Sequence, residues 1–208
     1  MAGNMENRRP LKTRSAGWAG ALARGLGAAG LSPNAISTIG ILFAALGAWA
    51  FIEASGNRWM WLIGGLCIQM RLLANMLDGL VAVEGGRKSA TGALFNEVPD
   101  RIEDALLLVA AGYAGGSPEL GYGAALLAFG TAYIRATGGA LGFAQDFVGP
   151  MAKQHRMFAL TLGAIAQFVW SDQPLAMLVT LAIIAAGTAL TCAIRTRRIA
   201  RLLKERGA

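Results

Sequence analysis

Acids and amides set at helical spacing inside apolar segments are the groups in this chain that could do chemistry. Asn75 and Asp78, followed by Gly79 and Ala82, lie in one apolar run, and Gly92, Asn96 and Asp100 lie in the next. An ionisable group at membrane depth costs about 2.5 to 3.5 kcal/mol on insertion scales, and it persists where it faces a polar cavity, a partner or an ion. Arg71, Asn75, Asp78 and Ala82 are spaced by four, three and four residues, which is one stripe of a 3.6-residue helix. Gly92, Asn96, Asp100 and then Glu103 or Asp104 keep the same rhythm. Both stripes start from the ends of one short loop carrying Arg87 and Lys88, so they share one half of the membrane. Antiparallel neighbours joined by so short a connection would bring Asp78 near Asp100. Oxygen donors of this kind suit a hard divalent cation, Mg²⁺ or Mn²⁺, and Gly79 and Gly92 allow a bulky ligand close to the backbone. Polar residues also glue membrane helices together by hydrogen bonding, but four polar positions on two matched stripes exceed what gluing needs.

The elements that must position these groups follow from composition. A 208-residue chain with 55% hydrophobic residues and a mean hydropathy of +0.48 holds more apolar surface than one soluble core uses. Segments near 34–52, 58–83, 92–116, 120–144, 156–171 and 174–194 reach spanning length. The expected fold is therefore an all-α integral membrane protein with six transmembrane helices. Residues 1–33 interleave Arg8, Arg9, Lys12, Arg14 and Arg24 with Leu11, Trp18, Leu22 and Leu26, the pattern of an amphipathic interfacial helix. No apolar run follows the basic start directly, which argues against a cleaved signal. Ser32 as N-cap with Pro33 behind it marks the start of the first span, and 195–208 forms a basic tail.

Lys and Arg collect on cytoplasmic flanks. Arg195, Arg197, Arg198, Arg201, Lys204 and Arg206 follow the last span, Lys153 and Arg156 precede the fifth, and Arg58 alone stands in an opposite loop. Both termini are thus expected inside, in a bacterial inner membrane, with the active site on the cytoplasmic side. The net charge of +7 reads as attraction to anionic membrane lipids; basic and aromatic interleaving of the kind that binds nucleic acid is absent from the sequence.

Arg101, close to Glu97, Glu103 and Asp104, is expected to pair with acids. Arg71 and Arg135 lie within spans and suit a phosphate-bearing substrate. His155 reads as a solvated loop side chain, Cys67 and Cys192 as reduced packing residues, and Pro99 as a local loosening of its helix. Gly138 and Gly142 have the spacing of a helix-contact motif, within the chain or in a dimer seam.

These residues resemble the CDP-alcohol phosphotransferases of phospholipid synthesis, whose signature is Asp-x-x-Asp-Gly-x-x-Ala-Arg, eight residues, then Gly-x-x-x-Asp-x-x-x-Asp. The same intervals run here through Asn75, Asp78, Gly79, Ala82, Val83, Gly92, Asn96 and Asp100. Ser32-Pro33-Asn34 and the stretch from Gly149-Pro150 to Lys153 and Arg156 are also similar to the family's. Asn75 and Asn96 stand where the first and third aspartates belong, as in a variant subgroup, and Val83 stands at the motif arginine. The resemblance implies transfer of a phosphatidyl group from a CDP-linked lipid such as CDP-diacylglycerol to a small alcohol acceptor, releasing CMP. It implies metal ligation by Asp78, Asp100, Asn75 and Asn96, with Asp100 as base, and a CDP moiety against Gly79, Ala82 and Gly92. Arg71, Arg135, Lys153 and Arg156 would grip a phosphate or the acceptor, and the enzyme would be a homodimer. The lost charges at Asn75 and Asn96 also motivate a second expectation, a weakened relative that binds CDP-lipid or partner enzymes without turnover. A transporter would show repeat-related broken helices, and the sequence has no such repeat.

Overall fold

The computed structural model describes residues 17–84, 91–170 and 173–207, except for the side chains at 83, 84, 93 and 96. All regular structure among them is helical: α1 (Gly17–Ala28), α2 (Pro33–Glu53), α3 (Trp59–Glu84), α4 (Gly92–Ala114), α5 (Pro118–Ala140), α6 (Lys153–Val169) and α7 (Leu175–Gly207). Arg8, Arg9, Leu11, Lys12, Arg14, Arg87 and Lys88 lie outside the described residues.

Caps explain several of the boundaries. The Ser32 hydroxyl accepts from the Ala35 amide at 3.1 Å with Pro33 in the first turn, and α5 starts in the same way, with Ser117 accepting from Leu120 at 3.4 Å ahead of Pro118. Gly30 and Gly142 take left-handed φ of 83° and 84°. They close α1 and α5, and Leu31 and Phe143 donate back to the Leu26 and Gly138 carbonyls at 3.1 and 3.0 Å.

The central packing feature is α2. Its buried residues Ser37, Gly40, Ala44, Gly47 and Phe51 alternate in steps of three and four, a narrow stripe of mostly small side chains. That stripe wedges α2 between α3 and α4, so α2 packs along both while α3 and α4 meet directly at only a few positions. The α3–α4 contact expected from their short connection is made through long side chains, Arg71 and Asn75 reaching Asp100, Glu103 and Asp104, with α2 packed along both helices. Gly112 and Gly121 bring the α4 and α5 backbones together; a Cβ on Gly112 would lie 2.7 Å from the Gly121 Cα.

Phe51, Ile68, Leu107, Leu160, Met177 and Leu181 fill the main core. The described part of the amphipathic segment, α1, packs Ala19 and Ala23 onto Ala74, Leu77 and Leu80 of α3 and leaves Trp18 and Leu22 exposed. Pro33–Glu53, Trp59–Ala82 and Leu175–Gly207 are long and apolar enough to cross a bilayer. Leu42, Leu66, Leu126, Ile165 and Ile183 point outward, a surface that suits lipid and marks an integral membrane protein. Gly138 packs within the chain, where its Cβ would sit 3.1 Å from Ile199 of α7.

Candidate active site

Where the main core ends, the interior turns polar. Arg71 on α3 is fully buried and donates to Glu103 (Nε to Oε2, 2.5 Å) and to Asp104 (Nη2 to Oδ1, 2.5 Å) on α4. The other Asp104 oxygen accepts from Arg156 Nη2 on α6 at 3.0 Å. A buried carboxylate held between two guanidiniums thus ties α3, α4 and α6 together. Charged pairs of this kind are tolerated in an interior when hydrogen-bonded on both sides.

A second tier lies one turn further along each stripe. Asn75 donates Nδ2 to Asp100 Oδ1 at 2.5 Å and to Glu103 Oε2 at 2.9 Å, and the Lys153 ammonium at the start of α6 also donates to Asp100 Oδ1. Arg101 stands 3.4 Å from Asp100 Oδ2. Asp78, buried, accepts from the Ser37 hydroxyl of α2 at 2.7 Å through Oδ2, and its Oδ1 is buried with no hydrogen-bond partner. Asp78 lies one turn beyond Asn75 on α3, and Asn75 reaches Asp100 on α4, so the two carboxylates belong to one polar cluster.

α2 forms the floor. A Cβ on Gly40 would lie 2.9 Å from Glu103 Oε1 and 3.0 Å from Asn75 Oδ1, so only glycine lets the helix come this close. Gly79, Ala82 and Gly92 are partly buried on the same two stripes. The Asn96 side chain and the Val83 side chain lie outside the described residues.

The two span arginines that sequence left without partners both have acids. Arg71 takes Glu103 and Asp104, and Arg135 on α5 donates Nη2 to Glu97 Oε2 at 2.5 Å and Nη1 to Gln145 Oε1 at 2.8 Å. Arg101 pairs with acids as expected. Sequence reading missed Ser37, whose signal was a hydroxyl on the small-residue stripe of α2. It also missed Arg195, buried on α7, which donates to the Val148 and Thr131 carbonyls at 2.9 and 2.8 Å.

Asp78 Oδ1 is a hard, buried oxygen without a donor, which fits a divalent cation. No group of three His, Cys, Asp or Glu side chains among the described residues is placed to hold one. The donor set therefore fits a single ion completed by amide, water or substrate oxygens, and it does not fit a carboxylate-rich two-ion centre.

No family model and no curated protein matches the sequence, but solved structures match the fold. Phosphatidylinositol phosphate synthase from Mycobacterium tuberculosis with CDP-DAG bound is similar over 88% of this chain and 94% of that one, with a TM-score of 0.75 and 23% identity. The chain has the fold of that synthase. The same synthase in complex with manganese and citrate matches 87% of this chain and 88% of its own at a TM-score of 0.74 and 23% identity. Its apo form matches 85% and 93% at 0.70 and 23%.

Proposed function

We propose that this protein is a membrane phosphotransferase that moves a phosphatidyl group from CDP-diacylglycerol to an alcohol acceptor and releases CMP. The observation that carries the reading is the polar cluster in which Lys153 and Asn75, the latter one turn from Asp78 and its partnerless oxygen, both bond Asp100, in a fold shared with a synthase solved with CDP-DAG bound. The acceptor hydroxyl oxygen attacks the β-phosphorus, the bond from that phosphorus to the CMP oxygen breaks, and the hydroxyl proton passes to Asp100. Asp100 Oδ1 is held by Asn75 and Lys153, and Oδ2, which accepts only a long 3.4 Å hydrogen bond from Arg101, takes the proton as general base.

Asp78, Asp100 and the amide oxygens of Asn75 and Asn96 would hold one Mg²⁺ or Mn²⁺ ion. When bound, the ion supplies positive charge to the diphosphate oxygens. Gly79, Ala82 and Gly92 leave room for the CDP moiety between the helices. Arg71 and Arg156 set the positions of α3, α4 and α6 through Asp104, and Lys153 orients Asp100. α2–α7 are read as six spans with both termini and the cleft on the cytoplasmic face of a bacterial inner membrane, and the family resemblance implies a homodimer.

A binding-only role is the second reading. What favours it is that Asp100 is already occupied by an ammonium and an amide. Purified protein given CDP-diacylglycerol, Mn²⁺ and a panel of alcohols separates the two. Acceptor-dependent CMP release supports transfer, and binding of the lipid without CMP release supports the alternative.

A further inference from the structure

We infer that a cavity of about 330 Å³ between the end of α5, the 141–150 connection and the tail of α7 takes the acceptor, and that it selects an uncharged polyhydroxy alcohol over a phosphate monoester. This rests on the phosphotransferase reading. The cavity adjoins the cleft: Arg135 on its wall binds Glu97, and Arg101 connects Glu97 at 4.0 Å to Asp100 at 3.4 Å.

Its charge pattern carries the selectivity. A phosphate site presents guanidiniums whose donors are released to the anion. Here Arg135 is committed to Glu97 and Gln145, Arg198 stands 3.3 Å from Asp146, and Arg195 is committed to two backbone carbonyls. In the adjoining cleft Lys153 and Arg156 are likewise held by Asp100 and Asp104. A phosphate dianion would have to strip these pairs and face the Asp146 carboxylate on the wall.

A polyol needs acceptors and donors side by side, and the wall has both. Asp146 Oδ1 is used by the Val148 amide at 2.9 Å, whereas Oδ2 faces Arg198 Nε at 3.3 Å without a hydrogen bond to it. Gln145 supplies an amide group beside it. The wall is also braced. Arg206 stacks 4.0 Å over Phe143 and donates to the Leu141 carbonyl at 2.8 Å, and Ile199 and Leu202 of the same helix line the cavity. The α7 tail, expected from its charge to do no more than anchor, is thus a wall of the site.

The test is CMP release from CDP-diacylglycerol with glycerol, inositol and a hexitol, each compared with glycerol phosphate and inositol phosphate. For the native chain kcat/KM should favour the best neutral alcohol over either phosphate ester by at least about tenfold, since a like charge on the wall is a device against a wrong partner. Asp146→Asn keeps the turn acceptor and removes the charge. It should shift that ratio toward the phosphate esters by about tenfold and leave the KM for CDP-diacylglycerol unchanged. A native preference for a phosphate ester, or equal loss with both acceptor classes in Asp146→Asn, would overturn the inference and leave the transferase reading standing. Absence of CMP release with every acceptor would overturn both.

Discussion

The inner and outer tiers of the polar cluster use the same residue types for opposite ends. In the inner tier Arg71, Glu103, Asp104 and Arg156 are at most 2% exposed and joined by bonds of 2.5 to 3.0 Å. In the outer tier Asp100 and Lys153 are 14% and 19% exposed, and Asp78 keeps an oxygen with no partner. A carboxylate between two guanidiniums has nothing left to offer a substrate. A carboxylate with an unused oxygen at the edge of a cleft does. Arg71 Nη1, Glu103 Oε1 and Arg156 Nε of the inner tier also lack a partner, so access is what separates the tiers: Asp104 is sealed between two guanidiniums, whereas Asp100 and Lys153 are open to the cleft.

Substitutions should separate the tiers. The largest effect on the fold is expected from Asp104→Asn, which leaves Arg71 and Arg156 short of a counter-charge. Breaking a buried pair in this way costs about 3–5 kcal/mol, so thermal unfolding in detergent should show a sharply destabilised protein. Asp100→Asn should leave the fold in place while CMP release falls by about 10²–10⁴-fold, the usual worth of a positioned base. Next comes Gly40→Ala, whose Cβ would press on Glu103 and Asn75 and cost about 1–3 kcal/mol, linking the tiers through α2. An effect of the same order is expected from Ser37→Ala. It removes one hydrogen bond to Asp78, worth about 1.5–3 kcal/mol when the acceptor is charged, and should weaken metal-dependent CDP-lipid binding more than stability.

Much of this arrangement was legible before any coordinates. Apolar runs with Ser32-Pro33 ahead of the first located the helices, and the three-and-four spacing of Arg71, Asn75, Asp78 and of Asp100, Asp104 located the polar faces. The partners of the arginines were not legible. Arg71 meets Glu103 and Asp104 across 32 and 33 residues, Arg135 meets Glu97 across 38 and Arg156 meets Asp104 across 52. Nothing in local spacing selects among acids so far away. The wedge of α2 left a readable trace in the stripe Ser37, Gly40, Ala44, Gly47. The short α3–α4 connection correctly suggested that their polar edges meet, but not that α2 packs along both, because loop length constrains where helix ends lie and not what enters between their lengths. Arg195 and the α7 tail were read by charge alone as membrane flanks, and that pattern cannot distinguish a solvated arginine from one turned inward onto backbone carbonyls.

The central claim is that Asp78 and Asp100, on two helices held apart by α2, act on one bound nucleotide lipid in different roles. Its most direct test measures CMP release and CDP-diacylglycerol binding side by side in Asp78→Asn and Asp100→Asn, with Mn²⁺ present. The expected result is loss of both release and binding for Asp78→Asn, and loss of release with binding retained for Asp100→Asn. Mild and equal effects of the two substitutions on both measurements would contradict it.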